Sequence, residues 1–146
     1  MFKKILLAND GSDASLHAAR LALNLARVHG ASLTVVTVVD PYPFIGIGEV
    51  NPMGFDAYMG AARELAQQAQ QRVLELAQSL HGPQDLKLLA VEDVSVVEGI
   101  VKTGQEPGAD VIVIGSHGRN ALSRLVMGNV AHKVVNHSPI PVLISR

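Results

Sequence analysis

The chain is 146 residues long, with 48% hydrophobic, 17% charged and 3% aromatic residues, so it suits a globular domain whose core rests on aliphatic packing. Its formal net charge of −1 gives no electrostatic case for nucleic acid or for an anionic membrane surface. It has no cysteine, which excludes disulfides, thiolate chemistry and thiolate metal sites and fits the expected cytoplasmic location.

Lys4 to Ala8 is a short apolar run and reads as a first strand. Asn9-Asp10-Gly11 cuts the run too short for a secretion-signal core or a membrane span, and no later segment reaches membrane length. Asp10-Gly11-Ser12-Asp13 is a turn with good helix N-cap candidates. Leu16, Ala19, Leu23 and Ala26 then recur at helical spacing, and Gly30 stands where a C-terminal glycine belongs. Leu33 to Val39 is rich in β-branched residues and reads as a second strand. Residues 40–54, rich in proline and glycine, read as a loop. Residues 56–80, rich in Ala, Gln, Glu and Leu, read as a helix with a buried stripe of Leu65, Ala69, Val73, Leu76 and Leu80, stopped by His81-Gly82-Pro83. A third strand over Leu86 to Val91 and a helix over Ser95 to Gln105 follow. Val111 to Ile114 is a fourth strand, residues 129–137 a last helix, and Pro141 to Ser145 a fifth strand.

Strands alternating with helices predict one doubly wound α/β domain over residues 1–146, with a five-stranded, mostly parallel sheet and helices on both faces. Near-continuous apolar strands fit a sheet buried on both sides. Such sheets bind ligands at the carboxyl ends of the strands, where the winding reverses. Asn9-Asp10, Asp40 and Gly115 end strands one, two and four, and they converge on one crevice if strands one and four are neighbours.

The most telling stretch is Gly115-Ser116-His117-Gly118, then nine residues, then Gly128-Asn129. A buried strand that ends in a glycine-rich loop and leads into a helix is a common phosphate cradle, because backbone N–H groups point at the anion. Asn129 is the expected N-cap of the last helix, whose dipole favours an anion there. Arg119 and Arg124 lie between the glycines, with guanidinium groups suited to phosphate oxygens. The competing reading is that the glycines serve only a turn and a cap. No P-loop sequence and no Gly-x-Ser-x-Gly elbow occurs. Gly46-Ile47-Gly48 lacks the third glycine of a dinucleotide fingerprint. The histidines show no metal spacing, and no general acid–base constellation stands out, so catalysis is not the expected role. Phe44, Ile45, Ile47, Val50, Met53, Phe55 and Met59 are apolar in a loop-like stretch, which suits a lid, a subunit contact or a satellite cluster covering the sheet.

The Gly-x2-Gly-x9-Gly spacing followed by a small polar residue resembles the nucleotide-binding signature of the universal stress protein family. Lys4 to Ser12 is similar to that family's opening strand and turn, Ala109 to Gly118 to its most recognisable segment, and Ser138 to Ile144 to its closing strand. The resemblance covers the whole chain. It implies an adenine nucleotide α-hydrolase-like, Rossmann-like fold with an adenine-nucleotide site. In that site Asp10 lies at the adenosine end, with Ala8 and Asn9 at the floor. Val38 offers its backbone to the adenine, and Ile114 and Gly115 flank the ribose. Gly118, Gly128, Asn129 and Val130 hold the phosphates through backbone N–H groups. From the residues themselves, Arg119 is a further phosphate candidate, and His117 serves either a phosphate contact or a loop cap.

ATP-binding members usually carry Ser or Thr directly after the third glycine, where this chain has Asn129. The ligand the resemblance implies is therefore ATP, with magnesium, or another adenine nucleotide: ADP, AMP or cyclic AMP. The resemblance further implies a homodimer through the last strand, residues 141–145, acting as a stress sensor or regulator. The runner-up is a member that retains no nucleotide and works through an unidentified protein partner. A third reading is slow nucleotide hydrolysis.

Overall fold

The computed structural model describes residues 1–41, 52–118 and 127–146, with the backbone alone of Pro52 and Met53. The expectations for Phe44, Ile45, Ile47, Val50, the Met53 side chain, Arg119 and Arg124 lie outside the described residues.

The elements run β1 (Lys4–Ala8), α1 (Asp13–His29), β2 (Ser32–Val38), α2 (Pro52–Ser79), β3 (Leu86–Val91), α3 (Val96–Gln105), β4 (Val111–Gly115), α4 (Asn129–His137) and β5 (Val142–Ser145). The five strands form an all-parallel sheet in the order β3-β2-β1-β4-β5. Alternate residues of the central strands face opposite layers, as the strand period requires. Ile5, Leu7, Leu33, Val35, Val111 and Val113 pack against Ala18, Ala22 and Leu23 of α1 and Val73 and Ala77 of α2. Leu6, Ala8, Val36, Val38, Ile112 and Ile114 pack against Ile100 of α3 and Ala131 and Val134 of α4. No helix among the described residues is long and apolar enough to cross a membrane.

Three sequence expectations need correction. The second helix starts at Pro52, inside the stretch read as loop. Proline suits a first helical turn, where its missing N–H has no partner to lose. The buried stripe of that helix is Met59, Ala62, Ala66, Ala69, Val73 and Ala77, while Leu65 is exposed. At Ala69 the helix lies very close to the turn after β1: a Cβ on Gly11 would stand 3.0 Å from the Cβ of Ala69. The third correction concerns Asn129 and belongs to the site. Phe55, Tyr58 and Met59 form a satellite cluster with Val39 at the end of β2, which accounts for part of the apolar stretch at residues 40–60.

At the amino ends of the strands, Asp110 accepts hydrogen bonds from the backbone N–H groups of Lys3 (2.6 Å) and Lys4 (2.8 Å). These two bonds hold its carboxyl below the usual carboxylate range. Away from that end, Arg63 of α2 makes a two-pronged ion pair with Glu92 after β3, at 2.7 and 3.2 Å.

Candidate functional site

The winding reverses between β1 and β4, which pair directly. The crevice expected from that topology therefore opens between the turn after β1 and the loop after β4.

Asn9 is buried and its amide is used within the protein. Nδ2 donates to the Ala69 carbonyl at 2.9 Å and to Thr37 Oγ1 at 3.4 Å, while Oδ1 accepts from Gly11 N–H at 3.2 Å and Ser15 Oγ at 3.1 Å. The side chain expected at the floor of a nucleotide site is thus a strut joining β1, β2, α1 and α2. Asp10 is partly buried, and its Oδ1 accepts from the Ser12 N–H at 2.9 Å. Ser12 then caps α1, its hydroxyl accepting from Ser15 N–H at 3.1 Å. Gly11 has φ +82°, a backbone conformation that glycine adopts without strain.

Each of the three signature glycines meets a neighbour that a side chain would strike. A Cβ on Gly115 would stand 2.8 Å from the carbonyl oxygen of Ala14, in the first turn of α1. On Gly118 it would stand 3.0 Å from Asp10 Oδ2, and on Gly128 2.9 Å from the Ser116 carbonyl oxygen. Gly128 also donates its N–H to that carbonyl, at 2.5 Å. The loop after β4 and the start of α4 are therefore in direct contact.

Gly128, with φ −62° and ψ 157°, is the N-cap of α4, and no side chain among the described residues caps this helix. Asn129 is the first helical residue and is exposed, so it is not the N-cap read from the sequence. The cause is tertiary: the Ser116 carbonyl leaves no room for a side chain at the capping position. The first N–H groups of α4 have no intrahelical acceptors, and the helix dipole places a partial positive charge at the same end.

The structure brings Asp10 beside Gly118, and Gly128 beside Ser116 and His117. Ala8, Val38 and Ile114 are buried and packed beneath α3 and α4. A Cβ on Gly99 of α3 would approach Val38 Cγ2 to 2.7 Å, so the Val38 side chain is committed to packing. Val130 is partly exposed at the first turn of α4. His117 Nδ1 lies 2.7 Å from Ser116 Oγ, and its Nε2 is buried without a partner among the described residues. Arg119 lies outside the described residues. Sequence reading missed Ser116 and Ala14, which matter through backbone carbonyls that no side-chain pattern reveals. The turn read at Asp10-Gly11-Ser12-Asp13 is an Asx turn, closed by the Ser12 N–H on Asp10 Oδ1. A separate groove of about 320 Å³ opens between α1 and α2, lined by Leu16, Arg20, Arg72, Glu75, Leu76 and Ser79. None of the predicted site residues lines it.

The universal stress protein family model matches residues 1–146. A universal stress protein of Thermus aquaticus is 35% identical over 153 aligned positions, covering all of both chains. Among solved structures, universal stress protein UspA of Lactobacillus plantarum superposes with a TM-score of 0.82 at 27% identity, covering 99% of this chain and 98% of that one. A universal stress protein solved in complex with cAMP superposes with a TM-score of 0.62 at 25% identity, covering 99% and 97%. The chain belongs to the universal stress protein family.

Proposed function

We propose that the crevice between the turn after β1 and the loop after β4 binds an adenine nucleotide, and that the protein serves as a nucleotide-dependent dimeric sensor or regulator. The observation that carries this reading is the start of α4, where no side chain among the described residues caps the helix and the capping residue has no room for one. A phosphate group is the natural acceptor for the N–H groups there, with Gly118, Asn129 and Val130 around it. Asp10 divides the site by charge. Its carboxylate repels phosphate and accepts hydrogen bonds from hydroxyls, which assigns it to the ribose. The solved relative holding cAMP supports an adenine nucleotide as the ligand class.

Among the described residues no three His, Cys, Asp or Glu side chains cluster as a metal site. A magnesium ion entering with ATP would therefore take most of its ligands from phosphate oxygens and water. Titration calorimetry with ATP, ADP, AMP and cyclic AMP tests the reading. At least one nucleotide is expected to bind and to lose its heat in Asp10→Ala. Absence of both heat and thermal stabilisation with all four overturns it.

A further inference from the structure

We propose that Arg72 of α2 is a positioning residue for Asp10, acting through the peptide group that joins Gly11 to Ser12. Arg72 donates from Nη1 to the Gly11 carbonyl, and its Nη2 lies 3.8 Å from Asp13 Oδ1. The Gly11 carbonyl and the Ser12 N–H belong to one peptide unit, and that N–H donates to Asp10 Oδ1 at 2.9 Å. A guanidinium cation thus holds one end of the peptide dipole and the Asp10 carboxylate the other. Both bonds are charge-assisted, and each polarises the peptide in the sense that strengthens the other.

This peptide needs holding. Gly11, at φ +82°, has access to both halves of backbone space, so nothing intrinsic fixes the plane of the unit that follows it. Helix α2 supplies the constraint at three adjacent points. Ala69 accepts from Asn9 Nδ2 at 2.9 Å, its Cβ stands under Gly11, and Arg72, three residues along the same helix face, closes over the Gly11 carbonyl. With Oδ1 tied to Ser12, Asp10 presents Oδ2 beside Gly118. Arg72 thus bears on the orientation of the Asp10 carboxylate through the peptide group between them.

The consequence for affinity rests on the nucleotide reading, whereas the ordering of the turn does not, and the experiment separates them. In unliganded, ¹⁵N-labelled protein, hydrogen exchange at the Ser12 amide is expected to rise roughly ten-fold in Arg72→Met and to return towards wild type in Arg72→Lys. With the nucleotide that wild type binds best of the four, the Kd is expected to rise roughly ten-fold in Arg72→Met. In an Asp10→Asn background the same substitution is expected to add little, because the carboxylate through which it acts is gone. Unchanged Ser12 exchange in Arg72→Met overturns the proposal, and so does a full additional loss of affinity in the Asp10→Asn background. If wild type binds none of the four while Ser12 exchange responds as expected, the nucleotide reading fails and the positioning role stands.

Discussion

A methyl group at Gly118 and one at Gly128 meet obstacles of similar distance and different kind. At Gly118 the obstacle is Asp10 Oδ2 at 3.0 Å, the tip of a side chain that can rotate away. At Gly128 it is the Ser116 carbonyl oxygen at 2.9 Å, part of a backbone already bonded to the Gly128 N–H. Gly118→Ala is therefore expected to leave folding stability within about 0.5 kcal/mol of wild type. It should still lower nucleotide affinity, because Asp10 must leave its place. Gly128→Ala is expected to destabilise by about 1–3 kcal/mol, as overpacking against backbone does, and to lower affinity as well. Urea titration and calorimetry on the two variants check this; equal stability losses would show that both glycines serve the fold in the same way. The same contrast explains why sequence reading misplaced the cap of α4. Asn129 has the better capping side chain, but the distant Ser116 carbonyl against Gly128 decides the matter, and no local propensity encodes it.

Among the elements, β1 and β4 are joined at their amino ends by Asp110, which accepts from Lys3 and Lys4 N–H. The bonds exist with the carboxylate form, so the folded carboxyl titrates below its unfolded counterpart. A group lowered in this way stabilises the fold above the unfolded carboxylate pKa of about 3.9, and the contribution fades as pH falls through the folded value. Asp110→Asn is expected to lower the urea midpoint at pH 7 and to differ less from wild type below about pH 4. A gap that stays constant from pH 7 to pH 3 would contradict this. The strands themselves were legible, because β1 and β3 are apolar runs bounded by turn residues and their predicted limits match. The start of α2 was not legible: Pro52, Gly54 and Gly60 dilute the helical pattern, and tertiary packing of Met59 and Ala62 against Val39 offsets their low propensity. Leu65 was assigned to the core on hydrophobicity, whereas it lies on the exposed side of α2 and the neighbouring Ala62, Ala66 and Ala69 face inward.

For the whole molecule, the strand order leaves β3 and β5 as the two edges of the sheet, and they differ in what they present to a second chain. β3 places an exposed Lys87 near its start, a charge of the kind that discourages edge pairing. β5 reads Val142-Leu143-Ile144-Ser145 without a charge, and Leu143 is 36% exposed. Val142 and Ile144 pack beneath α3 and α4, so Leu143 and Ser145 face the opposite layer, and Leu143 is the apolar one of the two. Two copies meeting edge to edge about a two-fold axis would pair antiparallel, extend the sheet across both chains and bring the two Leu143 side chains into the same small region. Pro139 and Pro141 confine that pairing to the strand proper, since proline donates nothing to a ladder. Leu143→Lys places two like charges in that region and leaves the core residues of β5 untouched, so it should separate the chains without unfolding them. Sedimentation equilibrium is expected to give a dimer mass for wild type at micromolar concentration and a monomer mass for Leu143→Lys, with unchanged circular dichroism. A wild-type monomer, or a Leu143→Lys dimer of undiminished affinity, would remove β5 as the interface. A Lys87→Leu variant sharpens the comparison: if edge charge is what directs assembly, removing it from β3 should produce species larger than a dimer.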